Sequence, residues 1–208
     1  MRFESALERS FAIVDRTLRQ SFREDYYKRC MYAAFGMQSL LTELGYPASI
    51  QGGDVLAFMV ARSGNEAGLQ GFANASDGHA HYWTVAENRL IDIGPYYLPR
   101  ESSFSAVQVP LIAWSTFERL PPFLRYRVAE DFGRTTILVA DESIQQRMAK
   151  FIELCRRKLK QQIGQPKPPN WILTGTAALL SRGERGDPWA RNAMLFSTMP
   201  GTVENLPF

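Results

Sequence analysis

His79-Ala80-His81-Tyr82-Trp83-Thr84-Val85-Ala86-Glu87-Asn88-Arg89-Leu90-Ile91-Asp92-Ile93-Gly94-Pro95 holds two runs rich in β-branched and aromatic residues, split by Glu87-Asn88. That composition predicts a β-hairpin closed by a two-residue turn. With that loop, Ala86 faces Arg89, Trp83 faces Asp92 and His81 faces Gly94. Side chains alternate between the faces of a strand, so His81, Trp83 and Asp92 share one face, with Asp92 diagonal to His81. A carboxylate at that diagonal can accept from an imidazole N–H, which fixes the ring tautomer and favours the charged imidazolium.

Upstream, Arg29-Cys30-Met31-Tyr32-Ala33-Ala34-Phe35-Gly36-Met37-Gln38-Ser39-Leu40-Leu41-Thr42-Glu43-Leu44-Gly45 has apolar residues at 30, 33, 34, 37, 40, 41 and 44. This is the period of a helix with one buried face. Gly45 is placed for a left-handed C-terminal cap, and Pro47 forbids continuation. Cys30 therefore opens the helix, where unpaired N–H groups and the helix dipole favour a thiolate.

The remaining segments fill in an α+β pattern. Residues 3–21 put Phe3, Leu7, Phe11, Val14 and Leu18 on one helical face. Gly52-Gly53-Asp54 reads as a turn and residues 55–61 as a buried strand. Residues 67–73 and 106–114 are further strand candidates, 117–127 reads as irregular, and 134–140 reads as a last strand. A long helix starts at Asp141 or Ser143 and carries Ile144, Met148, Phe151, Ile152 and Cys155 on its apolar stripe. Gln165-Pro166-Lys167-Pro168-Pro169 is a stiff linker. The expected division is a 1–165 domain and a 166–208 Pro/Gly-rich extension, packed on the core or on a neighbouring copy, the latter making a homo-oligomer.

Composition bounds the rest. The 208 residues are 45% hydrophobic and 22% charged with a net charge of +3, ordinary for a globular domain and too mild to call for nucleic acid or an anionic membrane. No run of 18 apolar residues occurs and the first residues lack an apolar signal core, so neither a membrane span nor a secretory leader is expected. The two cysteines, Cys30 and Cys155, are far apart. This argues against a disulfide framework and for a reducing cytoplasm. His79 and His81 lack further ligands at a recognisable spacing, so no metal and no cofactor is expected.

A thiol at a helix N-terminus beside an oriented His–Asp pair is the arrangement for nucleophilic attack on a carbonyl. Cys30-Met-Tyr-Ala-Ala, the following Leu-Gly-Tyr-Pro-Ala, His81-Tyr82-Trp83 and Ile91-Asp-Ile-Gly-Pro resemble the transglutaminase-like branch of the papain-like cysteine peptidase superfamily. The resemblance spans roughly residues 28–98. It implies a papain-like α+β fold, a helix bearing Cys30 on an antiparallel sheet, with Cys30 as nucleophile, His81 as base and Asp92 orienting it. The leading reading of the reaction is hydrolysis, a peptidase or amidase acting on peptides or amide-containing small molecules, a choice that the resemblance itself does not make. Arylamine acetyltransferases and lasso-peptide leader peptidases share the layout, so acyl transfer and a catalytically inactive binding or assembly module stay open. Trp83, Tyr96 and Gln51 are the substrate-binding candidates, Trp83 being better suited to pack beneath the site than to serve as a substrate platform. The family's Gln ahead of the cysteine has no counterpart in residues 23–29, which leaves the second oxyanion donor unassigned.

Overall fold

The computed structural model describes residues 1–73, 80–134 and 141–198. The chain is mixed α+β. A seven-stranded sheet runs β2-β1-β3-β4-β5-β7, and β6 pairs with β1. The strands are β1 (Ala48–Val60), β2 (Ala67–Phe72), β3 (His81–Ala86), β4 (Arg89–Asp92), β5 (Leu111–Ser115), β6 (Leu124–Gly133) and β7 (Ile172–Leu173). Pairing is antiparallel except between β5 and β7. Helices α1 (Phe3–Ser21), α2 (Cys30–Glu43) and α4 (Glu142–Gln161) lie against one face. The short α3 (Gly94–Tyr97) follows β4, and α5 (Thr176–Glu184) and α6 (Pro188–Thr198) close the described chain.

Alternation along the strands divides the core. Ala86, Ile91 and Ala113 point into the cluster built with α1, α2 and α4. Trp83, Leu90, Ile112 and Trp114 point into a second cluster completed by Trp171, Leu179 and Trp189. Trp189 is 0% exposed and its indole N–H donates to Phe58 O at 2.9 Å. Residues 166–198 thus supply much of the second core. The sequence reading did not foresee α5 and α6, which are short and bracketed by Gly and Pro.

The hairpin is built as its residues dictate. Glu87 and Asn88 both take positive φ, 50° and 54°, as a twist-matched two-residue turn requires. The ladder then pairs Ala86 with Arg89, Val85 with Leu90 and Thr84 with Ile91. Helix α2 ends as the glycine signal indicated: Gly45 has φ +92°, Tyr46 N–H donates to Leu41 O at 2.9 Å and Gly45 N–H to Thr42 O at 3.0 Å.

Four readings are corrected. Helix α2 is buried on nearly every side, Tyr32, Phe35 and Ser39 included, because the sheet, α1 and α4 all pack on it. Gly52-Gly53-Asp54 is not a turn but lies inside β1, which is 13 residues long. A Cβ on Gly53 would stand 1.9 Å from Arg127 O, so glycine there lets β6 approach. Residues 117–127 are not irregular throughout, since β6 begins at Leu124. Of the strand expected over 106–114, only the part from Leu111 forms. The strand expected over 134–140 falls, from residue 135 on, outside the described residues.

Candidate active site

Helix α2 is pinned to β3 where Thr84 Oγ1 donates to Ala34 O at 3.0 Å. Four residues back along the helix is about 6 Å, and two residues back along the strand is about 6.6 Å. The two elements therefore carry Cys30 to the level of Tyr82 and His81. There the β3–β4 ladder has ended. In an antiparallel pair bonded at Ala86–Arg89 and Thr84–Ile91, the next bonded pair would be Tyr82–Ile93. Strand β4 stops at Asp92 and the chain turns into α3, so the Tyr82 N–H is released and donates to the Cys30 sulfur instead.

Long β1 explains the opening on the other side. It pairs with β3 through Gly53–His81 and with β2 from Val55–Phe72, so its neighbour changes at Asp54 and the ends of β2 and β3 meet. Across that junction the Phe72 ring stacks on the His81 imidazole, 5.2 Å between centroids and 10° between planes. His81 is 0% exposed and Asp92 3% exposed, whereas Cys30 is partly exposed.

The polar bonds of the pair are nearly complete. His81 Nε2 lies 2.7 Å from Asp92 Oδ2. Tyr126 OH donates to the same Oδ2 at 2.8 Å, and Gly94 N–H donates to Oδ1 at 2.7 Å. Both Asp92 carboxylate oxygens thus accept from donors fixed by the surrounding fold. With Nε2 committed to Asp92, Nδ1 is the imidazole nitrogen left over: it makes no well-aligned hydrogen bond, and the imidazole's interaction with the Cys30 sulfur is a looser one. Gly94 sets the fit from below: a Cβ there would stand 2.3 Å from His81 Cε1 and 2.7 Å from Nε2.

Electrostatics follow from this packing. Burial alone would push the His81 pKa down, but the Asp92 carboxylate, the Cys30 thiolate and hydrogen bonds to both raise it to about 10. Burial likewise pushes the Cys30 thiol up. The adjacent imidazolium, its hydrogen bond and the Tyr82 N–H outweigh burial, so the thiol ends below the ordinary cysteine value despite opposition from Asp92. Thiolate and imidazolium therefore stabilise one another. The first helical bond of α2 is Ala33 N–H to Arg29 O, which leaves the N–H groups of Cys30, Met31 and Tyr32 ahead of the ladder.

The structure brings Cys30, His81 and Asp92 together. Trp83 is 1% exposed and forms the floor, its ring 6.2 Å from His81 and edge-on to Tyr126 at 5.1 Å. The Gln51 amide is engaged at both ends, Oε1 accepting from Trp83 Nε1 at 3.1 Å and Nε2 donating to Asp131 Oδ2 at 3.0 Å. Tyr96 belongs to a different group: its ring packs on Tyr97, and burial followed by Asp15 raises its hydroxyl pKa. Asp25 pairs with the Arg29 side chain, and α2 has no side-chain N-cap bond. Tyr126, Phe72 and the Gly94 contact were not singled out from the sequence. Gly94 had a signal, since the hairpin register set it opposite His81.

Among the described residues no group of three or more His, Cys, Asp or Glu is arranged to hold a metal; His79 lies outside them. No helix among the described residues is long and apolar enough to cross a membrane. No family model matches the chain, and no curated protein matches it. A solved crystal structure described as a genomics target is similar over 80% of this chain and 82% of that one, at 15% identity and a TM-score of 0.47, a likeness too low to carry an argument.

Proposed function

We propose that this protein is a cysteine-dependent hydrolase, a peptidase or amidase, with a papain-like, transglutaminase-like arrangement of Cys30, His81 and Asp92. The observation that carries the reading is the buried His81–Asp92 bond with Nδ1 left over beside a thiol whose pKa is lowered. In the first half-reaction the Cys30 thiolate attacks the carbonyl carbon and the C=O electron pair moves onto oxygen. The Cys30 N–H at the head of α2 suits that oxyanion. The intermediate collapses, His81 Nδ1–H protonates the departing amine, the C–N bond breaks and an acyl-thioester remains. In the second, His81 takes a proton from water, hydroxide adds to the thioester carbonyl, and the C–S bond breaks to release a carboxylic acid.

Acyl transfer to an amine is the second reading, favoured by the full burial of the imidazole, with Phe72 stacked on it, which keeps bulk water from the base. The cytoplasm is the compartment expected for a protein with two unpaired thiols. Iodoacetamide at about pH 6 tests the proposal: Cys30 is expected to be carboxamidomethylated well before Cys155, as read by peptide mass spectrometry. Equal, slow labelling of both would leave an inert module on this fold. An added amine acceptor that speeds acyl-enzyme turnover on a thioester probe would select transfer over hydrolysis.

A further inference from the structure

We propose that Tyr126 is a positioning residue of this site: its hydroxyl shares Asp92 Oδ2 with His81 and so sets how tightly the carboxylate holds the imidazolium. The inference rests on reading Cys30, His81 and Asp92 as a nucleophilic site. Tyr126 reaches Asp92 from β6, a strand distant in sequence from the hairpin, at 2.8 Å. The route is built in. The register of β6 on β1 shifts between Gly52 and Gly53, the kind of irregularity that re-aims side chains. Gly53, the partner of His81 across β1 and β3, has no room for a Cβ against Arg127 O or the Trp83 ring. Glycine at 53 therefore lets β6 close in and deliver the adjacent Tyr126. A phenylalanine would pack edge-on to Trp83 equally well, so packing does not account for the hydroxyl.

The chemistry follows from sharing one oxygen. A donor to a carboxylate spreads and stabilises its charge, which makes that oxygen a weaker base. While the Tyr126 O–H is in place, Oδ2 pulls less strongly on the Nε2 proton, and the hold on the imidazolium is moderated. The half-buried tyrosine has its hydroxyl pushed well above the ordinary value, first by burial and then by Asp92, so it remains a donor. The groups acting on His81 are Asp92 from β4 and Cys30 from α2, with Tyr126 from β6 acting through Asp92. On the neighbouring β1 and β6, Asp54 is paired with Arg127.

The experiment follows iodoacetamide alkylation of Cys30 against pH, with NMR titration of His81, in the wild type, Tyr126→Phe and Asp92→Asn. Loss of the proton from His81 marks the upper inflection. Tyr126→Phe is expected to move that inflection upward by roughly 0.5–1 pH unit, and Asp92→Asn to move it downward by more. An unmoved or lowered inflection in Tyr126→Phe, with the wild-type profile intact, overturns the role given to Tyr126 and leaves the nucleophile reading standing. A wild type whose Cys30 reacts no faster than Cys155 overturns both.

Discussion

Cys30 and Cys155 are the same side chain in two helices of one core, and their surroundings drive them in opposite directions. Cys155 sits midway along α4, 0% exposed, with Gly36 and Thr17 close by. Burial pushes its thiol up to about 12 against a weak opposing pull from Thr17 and Lys158. Cys30 is also pushed up by burial, yet an imidazolium and a backbone N–H reverse the balance. Burial alone therefore does not make a cysteine inert or reactive. The deciding factor is whether a positive group and a released N–H face the sulfur.

The largest expected break in this contrast comes from His81→Ala. Without the imidazolium, Cys30 reverts toward an ordinary thiol, and at about pH 6 the ratio of Cys30 to Cys155 alkylation should fall by about 100-fold. A ratio that survives would mean that the helix end alone acidifies the thiol. Gly94→Ala should have a smaller effect of the same sign. Its methyl would meet the imidazole edge, so the ring must shift, with alkylation of Cys30 slowed roughly tenfold and about 1–3 kcal/mol of stability lost in urea unfolding.

Cys155→Ser probes the other member. A more strongly hydrated hydroxyl in that buried position, with Thr17 as its polar neighbour, should cost about 1–3 kcal/mol while Cys30 alkylation stays at the wild-type rate. Smallest is a pH effect on stability, best isolated by comparing Cys30→Ser with Cys30→Ser/His81→Ala. A folded-state pKa raised above the unfolded value of about 6.5 adds stability that is full below that pH and lost as pH rises through the folded value. The pH-dependent part of the difference between the two proteins in urea unfolding should therefore shrink above about pH 6.5 and be exhausted below the wild-type folded value of about 10, because the Cys30 thiolate that helps to raise it is gone. A difference that grows with pH would mean that His81 is held neutral.

The parts of this site that could be read from sequence are those set by local rules. Glu87-Asn88 fixed the turn, the turn fixed the register, and parity then put Asp92 and Gly94 beside His81. Helix α2 was legible at both ends because Cys30 begins its period and Gly45 caps it. The failures have a common cause. In β6, Leu-Arg-Tyr-Arg-Val-Ala-Glu-Asp-Phe-Gly carries charges along an exposed strand, so its pairing comes from β1 and not from its own alternation. Gly52-Gly53 imitates a turn because close approach between strands selects glycine as tight turns do. Tyr126 could be found only once the sheet had placed β6, and α5 and α6 owe their place to Trp189 filling the second core.

The change of partner along β1 has one more consequence. Cys30 belongs to a helix whose own hydrogen bonds are local, but the low pKa of its thiol is supplied by a hairpin held at a junction of two strand ends on a third strand. Such non-local pairings assemble late. The reactivity of one thiol is thus a clock for the last stage of folding: it switches on only after sequence-distant segments have closed around it, and an incompletely folded chain carries a harmless sulfhydryl.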